Sequence, residues 1–194
     1  YTFSTENFKR SEKEVTEIFR LLKEHLNSLL KDERVVKNEI RVKMLGRIEM
    51  LPKEFQELIR QVEEKTAHYR KHYVNFAIAY GGRTEIVDAV KSLAKNVKEE
   101  RLSLDDISES LISEHLYTKA MPDPDLLIRT SGECRISNFL LWQIAYAEIY
   151  MTPTYWPDFR KEAYVEALIE YQKRERRFGA TGDQVARSRE ERED

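Results

Sequence analysis

Apolar positions recur along this chain with two different periods, and the two alternate. Val15, Ile18, Phe19, Leu22, Leu26, Leu29 and Leu30 fall at helical spacing and predict an amphipathic helix of about five turns. Just before them, Ser11-Glu12-Lys13-Glu14 has the S-x-x-E spacing of a capping box. Ile40, Val42 and Met44 alternate as a strand does. Pro52 then stands at the first turn of a second helical stripe through Phe55, Leu58, Ile59, Val62 and Tyr69. YVNFAIAY (73–80) is nearly continuous in apolar residues, the pattern of a buried parallel strand. Gly81-Gly82 ends it, and Ile86, Val87, Val90, Leu93, Ala94 and Val97 mark another helix. A shorter helix is expected from Asp105 to about Leu116, a short buried strand at DLLIRT (125–130), and a last helix from about Arg160 to Arg174. The opening YTFSTENF also reads as strand. NFLLWQIAYAEIY (138–150), the most apolar segment, fits strand and helix equally by period.

Strands alternating with helices predict an α/β fold with a mostly parallel central sheet flanked by helices. Such sheets bind ligands at the carboxyl ends of their strands. Polar residues gather at four such places: Ser4-Thr5-Glu6-Asn7 with Arg10; Gly81-Gly82-Arg83; the run Arg129-Thr130-Ser131-Gly132-Glu133-Cys134-Arg135-Ile136-Ser137-Asn138; and Glu148, a carboxylate inside an apolar run. The third has the makings of an anion cradle, because arginine forks bind phosphate oxygens bidentately and hydroxyls and backbone N–H groups add donors. Glu148 needs a partner cation, a proton or a metal, since an unpaired buried carboxylate costs several kcal/mol.

Each place also has a purely structural reading. Ser4 and Asn7 are common caps for the helix that starts near Ser11. Gly81-Gly82 serves equally as a strand-to-helix turn. Arg129 and Arg135 can pair with Glu133 or Asp125, and Glu148 with a nearby arginine. Cys134 reads as a packing residue, with no histidine close in sequence to activate it.

The 194 residues carry 33 Lys+Arg against 35 Asp+Glu, and 41% are hydrophobic. That is a globular composition, and its near-neutral charge argues against nucleic acid as a general partner. One cysteine excludes an internal disulfide framework and a cysteine zinc cage. No apolar run approaches the roughly 18 residues of a membrane helix. Neither G-x-x-x-x-G-K-[ST] nor a G-x-G-x-x-G after a strand is present, so a nucleotide-binding module has little support.

Taken in order, YTFSTENFKR, AYGGRTEIV, DLLIRTSGECRISNFLLWQIAYAEIY, WPDF and RERRFG resemble the cis-prenyltransferases, the undecaprenyl diphosphate synthase family. The resemblance covers residues 1–179, taken as one catalytic domain, and leaves 180–194 as a charged tail. It implies an apolar tunnel, lined by the helix at 11–30 and the strand at 73–79, and a Mg²⁺-dependent condensation. Isopentenyl diphosphate is added repeatedly, with cis double bonds, to an allylic primer (farnesyl or geranylgeranyl diphosphate). The product is a long-chain Z-polyprenyl diphosphate for lipid-carrier synthesis.

By position, Arg129, Arg135, Ile136 and Ser137 match the residues that hold isopentenyl diphosphate, and Glu148 matches a magnesium-binding carboxylate. Asn7 matches the residue assigned to proton removal. A neutral amide is a poor base, so a positioning role is expected, with a phosphate oxygen or water taking the proton. Ser4, Thr5, Glu6 and Arg10 match substrate contacts, and Phe8 stands where many relatives carry Trp. The resemblance also implies a homodimer built partly from NFLLWQIAYAEIY and the last helix. It further implies a cytoplasmic location with transient contact at a membrane surface.

Three departures qualify it. Cys134 replaces a histidine described as metal-binding in several relatives, and a thiol is a poor Mg²⁺ ligand. Ala79 stands where bacterial members often have Asn, which points to a divergent branch. The family's D-G-N-x-R-W loop, with its catalytic aspartate, occurs nowhere in the chain, so the expectation is of a domain read without its first strand and phosphate loop. The competing reading is a non-catalytic partner subunit. Such relatives lose the arginine and metal motifs that remain here at Arg129, Arg135 and Glu148.

Overall fold

A computed structural model describes residues 1–176. The remainder of RERRFG and the charged tail lie outside the described residues. The chain forms two compact units: Tyr1–Met121 with Asn138–Leu140, and Pro122–Ser137 with the chain from Leu141 onward.

The first unit is built on a parallel three-stranded sheet with strand order β1-β3-β2, where β1 is Phe3–Ser4, β2 Ile40–Leu45 and β3 His72–Tyr80. Ile40 pairs with His72 and Leu45 with Ala77, while Phe3 pairs with Ile78 on the other side. Helix α1 (Glu12–Leu29) has the expected length, about 27 Å at 1.5 Å per residue. Its cap is half the expected box: Ser11 Oγ accepts from the Glu14 N–H, while the Glu14 side chain pairs with Arg10. A short α2 (Glu33–Lys37) follows, then α3 (Lys53–Thr66), led in by Pro52, and α4 (Gly82–Lys98). The helix expected over 105–116 divides into a 3-10 turn, Leu104–Asp106, and α5 (Glu109–His115). Ser103 and Ser108 side chains each cap a new start there.

The core joins α1 and α3 to the sheet through Phe3, Leu26, Val42, Met44, Phe55, Leu58, Ile59, Val62 and Ile78. Burial of β3 is uneven. Residues 77–80 are fully enclosed, whereas His72–Asn75 are exposed, Tyr73 by 53%. The continuous apolar run therefore overstates the burial of its first half, where pairing with β2 satisfies the backbone but the side chains stay exposed among the described residues. Beneath the far end of α1, a cavity of about 140 Å³ is lined by Leu29, Leu30, Val35, Val62 and Tyr69.

Gly46, between β2 and α3, has φ +132°, and a Cβ there would lie 2.0 Å from the Ile78 carbonyl oxygen, so only glycine fits.

The second unit contains the parallel pair β4 (Leu126–Arg129) and β5 (Glu148–Met151), in register Leu126 to Glu148 and Arg129 to Met151, followed by α6 (Lys161–Gln172). The apolar segment of undecided type is neither one strand nor one helix. Residues 141–146 form successive turns and only Glu148–Met151 is strand. Positive φ at Ser137, Asn138 and Leu140 prevents a regular element from starting there.

Candidate active site

In the first unit, β1 delivers the chain into a 3-10 turn, Thr5–Lys9, at the carboxyl end of the sheet. Ser4 and Asn7 are caps, but of this turn and not of α1. The Asn7 N–H donates to Ser4 Oγ (3.2 Å) and the Ser4 N–H donates to Asn7 Oδ1 (2.8 Å). Anchoring Oδ1 leaves the Asn7 amide with only its NH₂ group to offer, which is a donor and no base. Phe8 packs edge-on against Phe3, with centroids 4.9 Å apart, and so joins the core. Arg10 is half exposed and holds Glu14 at 2.7 Å.

Glu6 is the best-connected acid of the turn. Its Oε1 accepts from Asn138 Nδ2 at 2.7 Å, and its Oε2 accepts from Thr5 Oγ1 at 3.1 Å. Burial raises its pKa, but its own backbone N–H with Asn138, Thr5 and Ser4 outweighs that and holds the carboxyl below its ordinary range.

Gly81 lies against this turn. A Cβ there would be 2.7 Å from Thr5 Oγ1 and 2.9 Å from Asn138 Nδ2. Behind it sits a buried polar cluster that pattern reading missed. Glu85, 1% exposed, accepts from the Tyr80 hydroxyl (2.5 Å) and the Tyr117 N–H (2.8 Å). Asp88 binds Arg47 through two hydrogen bonds (2.8 and 2.6 Å) and accepts from the Tyr117 hydroxyl. Burial and then Glu85 push the Tyr80 phenol far up, so it stays a donor. The face that α4 buries is Gly82, Glu85, Ala89 and Leu93, so the expected apolar stripe is displaced: Val87 and Val90 are 48% and 54% exposed, and Glu85 turns inward instead.

In the second unit, the loop after β4 is pinned to the segment that follows β5. Ser131 N–H donates to the Thr154 carbonyl and Gly132 N–H to the Thr152 carbonyl, both at 2.9 Å. Arg129 ends β4, and its Nε is buried with no hydrogen-bond partner among the described residues. Such an orphan is the mark expected of a group that meets an anionic ligand. Arg135 forms an ion pair with Glu133 and is largely exposed. Ile136 is half-buried, Ser137 is exposed at φ +48°, and Cys134 is exposed.

Glu148 Oε2 accepts from Arg174 Nη1 at 2.9 Å, and the same guanidinium nitrogen donates to the Ile149 carbonyl. The arginine partner anticipated for Glu148 is therefore present. Among the described residues no three His, Cys, Asp or Glu side chains gather as a metal cage. One carboxylate with a second oxygen to spare nonetheless suits Mg²⁺, which is commonly held by one or two carboxylates together with substrate phosphates.

The chain has close relatives. Residues 1–179 match the family model described as putative undecaprenyl diphosphate synthase. The tritrans,polycis-undecaprenyl-diphosphate synthase (geranylgeranyl-diphosphate specific) of Thermoplasma volcanium is 51% identical over 179 residues, 92% of this chain and 69% of that protein. Its namesake from Pyrococcus furiosus is 50% identical, over 92% of this chain and 68% of its own. Among solved structures, lavandulyl diphosphate synthase from Lavandula x intermedia, in complex with dimethylallyl diphosphate, superposes with a TM-score of 0.88 at 38% identity. It covers 92% of this chain and 76% of that one. A probable undecaprenyl diphosphate synthase from Campylobacter jejuni gives a TM-score of 0.79 at 40% identity, covering 92% and 80%.

Fold and likeness together define the class, an enzyme that transfers prenyl groups. The chain belongs to the undecaprenyl diphosphate synthase family, the cis-prenyltransferases, and its activity is cis-prenyl chain elongation.

Proposed function

We propose that the enzyme condenses isopentenyl diphosphate with geranylgeranyl diphosphate as primer, giving a long-chain Z-polyprenyl diphosphate, and that residues 1–179 act as one catalytic domain. The observation that carries the diphosphate reading is the buried Arg129 Nε at the end of β4, which has no hydrogen-bond partner among the described residues. With Arg135, Ile136 and Ser137 it holds isopentenyl diphosphate, the guanidinium forks and the hydroxyl meeting the phosphate oxygens. Both named relatives carry the geranylgeranyl specificity in their names, which supports that primer over farnesyl diphosphate.

In the condensation the allylic C–O bond breaks and diphosphate departs. The alkene carbon of isopentenyl diphosphate bonds to the allylic carbon, and a proton then leaves. Asn7 donates through its amide and orients the reacting groups, while a phosphate oxygen or water accepts the proton. Ser4, Thr5, Glu6 and Arg10 contact the substrates, and Phe8 forms an apolar wall beside them. Glu148 would hold Mg²⁺, which stabilises the charge developing on the leaving diphosphate. The growing chain runs beneath α1, among the apolar residues that α1 and β3 contribute to the core.

The test is the full-length protein with labelled isopentenyl diphosphate, Mg²⁺ and each primer. Longer prenyl diphosphates are expected, with geranylgeranyl diphosphate preferred in kcat/KM; equal use of farnesyl diphosphate would overturn the primer. Glu148→Ala should lower turnover at least about 100-fold and raise the Mg²⁺ requirement, as loss of an electrostatic partner in a transition state does. Turnover near wild type would remove the metal role. Exposed Tyr146, Ile149, Tyr164, Val165 and Ile169 support a homodimer through the second unit. A monomer in sedimentation at micromolar concentration would refute that.

A further inference from the structure

Asn138 follows Arg135-Ile136-Ser137 directly in sequence, yet it packs in the first unit. Three polar groups of this one residue are engaged. Its carbonyl oxygen accepts from the Gly82 N–H at 2.7 Å, and its Oδ1 accepts from the Arg83 N–H at 2.9 Å. Its Nδ2 donates to Glu6 Oε1 at 2.7 Å.

The first two bonds replace a missing cap. A helix start needs acceptors for its first N–H groups, normally supplied by a Ser, Thr, Asp or Asn side chain at the cap position. Helix α4 has Gly81 there, with no cap side chain, because any Cβ would strike Thr5 and Asn138. Asn138 therefore caps α4 from elsewhere in the chain. The third bond demands a donor on the same side chain that supplies the acceptor. A carboxamide presents the two on separate atoms; an ionised Asp has no donor, and Ser and Thr carry both functions on a single, shorter-reaching oxygen. The backbone imposes a further condition, since φ is +61°, a region that Asn enters more readily than most residues.

We infer that Asn138 is a positioning residue for the condensation: it fastens Glu6, and with it the Thr5–Lys9 turn that carries Asn7, to the start of α4. This rests on the role given above to that turn. Thr5 Oγ1 holds the other oxygen of the Glu6 carboxylate, so the acid is gripped from two sides. The Thr5 bond lies inside the turn and fixes the direction of the carboxylate; the bond to Asn138 is the one that must open for the turn to rotate away from α4. Misplacing a reacting group by about 1 Å costs on the order of 100-fold in rate, which sets the scale of the expected effect.

The decisive variant is Asn138→Asp in the full-length protein. It keeps an oxygen for the Arg83 N–H, and so the helix cap, but turns an acceptor toward Glu6. Asn138→Asp should unfold within about 3 °C of wild type, yet lower kcat about 30- to 100-fold with KM for both substrates within threefold. In a Glu6→Gln background, where an amide donor faces the new carboxylate, the same change should cost at least tenfold less. Asn138→Ala, which loses cap and tether together, should lower both stability and kcat. A kcat for Asn138→Asp within threefold of wild type overturns the inference, as does an equal loss in both backgrounds. Wild type that makes no product refutes the functional reading instead. The tether is then judged by carbon-13 NMR titration of Glu6, whose pKa must rise in Asn138→Asp; an unchanged titration overturns it.

Discussion

Substituting Gly81 by alanine isolates how tightly the Thr5–Lys9 turn is clamped. The backbone at Gly81 is extended (φ −163°), so an L-residue adopts it without strain, and the whole effect comes from the added methyl. That methyl would sit 2.7 Å from Thr5 Oγ1 and 2.9 Å from Asn138 Nδ2, where ordinary contact begins at 3.4 Å. The two atoms must therefore recede by about 0.7 and 0.5 Å. Both are donors to the Glu6 carboxylate, at 3.1 and 2.7 Å, so relief of the clash weakens both grips at once.

Overpacking of this size costs about 1–3 kcal/mol, offset by roughly 0.4–1 kcal/mol from the lower entropy of the unfolded chain. A net loss of about 1–2 kcal/mol corresponds to a fall in Tm of about 2–8 °C for a chain of this size. Displacement of the turn should lower kcat on the order of 100-fold. Thermal unfolding followed by circular dichroism and steady-state condensation rates measure the two effects. Adding Thr5→Ala to Gly81→Ala removes the nearest oxygen and should restore most of the lost stability. If Gly81→Ala left Tm within about 1 °C and kcat within about twofold, the clamp would be far softer than these distances imply, and the reasoning would fail.

Two further predictions concern the polar cluster behind the clamp. Glu85→Ala strips the acceptor from the buried Tyr80 hydroxyl and the Tyr117 N–H, and should cost about 3–5 kcal/mol in urea unfolding. A loss below about 1 kcal/mol would mean that water replaces the carboxylate without penalty. The Asp88 carboxyl is depressed by its hydrogen bonds to Arg47, against burial, with help from Tyr117. A carboxyl depressed on folding contributes stability that is complete above its ordinary pKa of 3.8 and is lost as pH falls through the lower, folded value. Asp88→Asn should flatten the fall in stability below about pH 4; an acid unfolding slope equal to wild type would refute the assignment.

Much of the fold was legible because its signals are local. Helices α1 and α3 and strands β2, β3 and β4 follow from apolar period, Pro52 and the glycine break, each of which acts through near neighbours; for α4 the period gave the helix but not the face it buries. The undecided 138–150 segment was not legible, since its turns depend on left-handed residues whose partners lie elsewhere in the chain. The roles of Ser4 and Asn7 were half legible. Both are caps, but of a turn that period analysis does not register in five residues.

The candidate site divides in the same way. The family motifs lie in the sequence and resemble those of the cis-prenyltransferases, the family to which the chain belongs, because substrate chemistry restricts residue type at fixed spacing. Arg129, Arg135, Ser137 and Glu148 were singled out by that restriction as the residues proposed to meet diphosphate and metal, and the partner of Glu148 was anticipated in kind. Tertiary structure alone decided that Arg174 is that partner, that Gly81 has no room for a side chain, and that Asn138, 132 residues away from Glu6, holds it. Helical and strand periods record only which face of an element turns inward. A hydrogen bond between residues distant in sequence leaves no period, and becomes visible only when the sheet and α4 bring its two ends together.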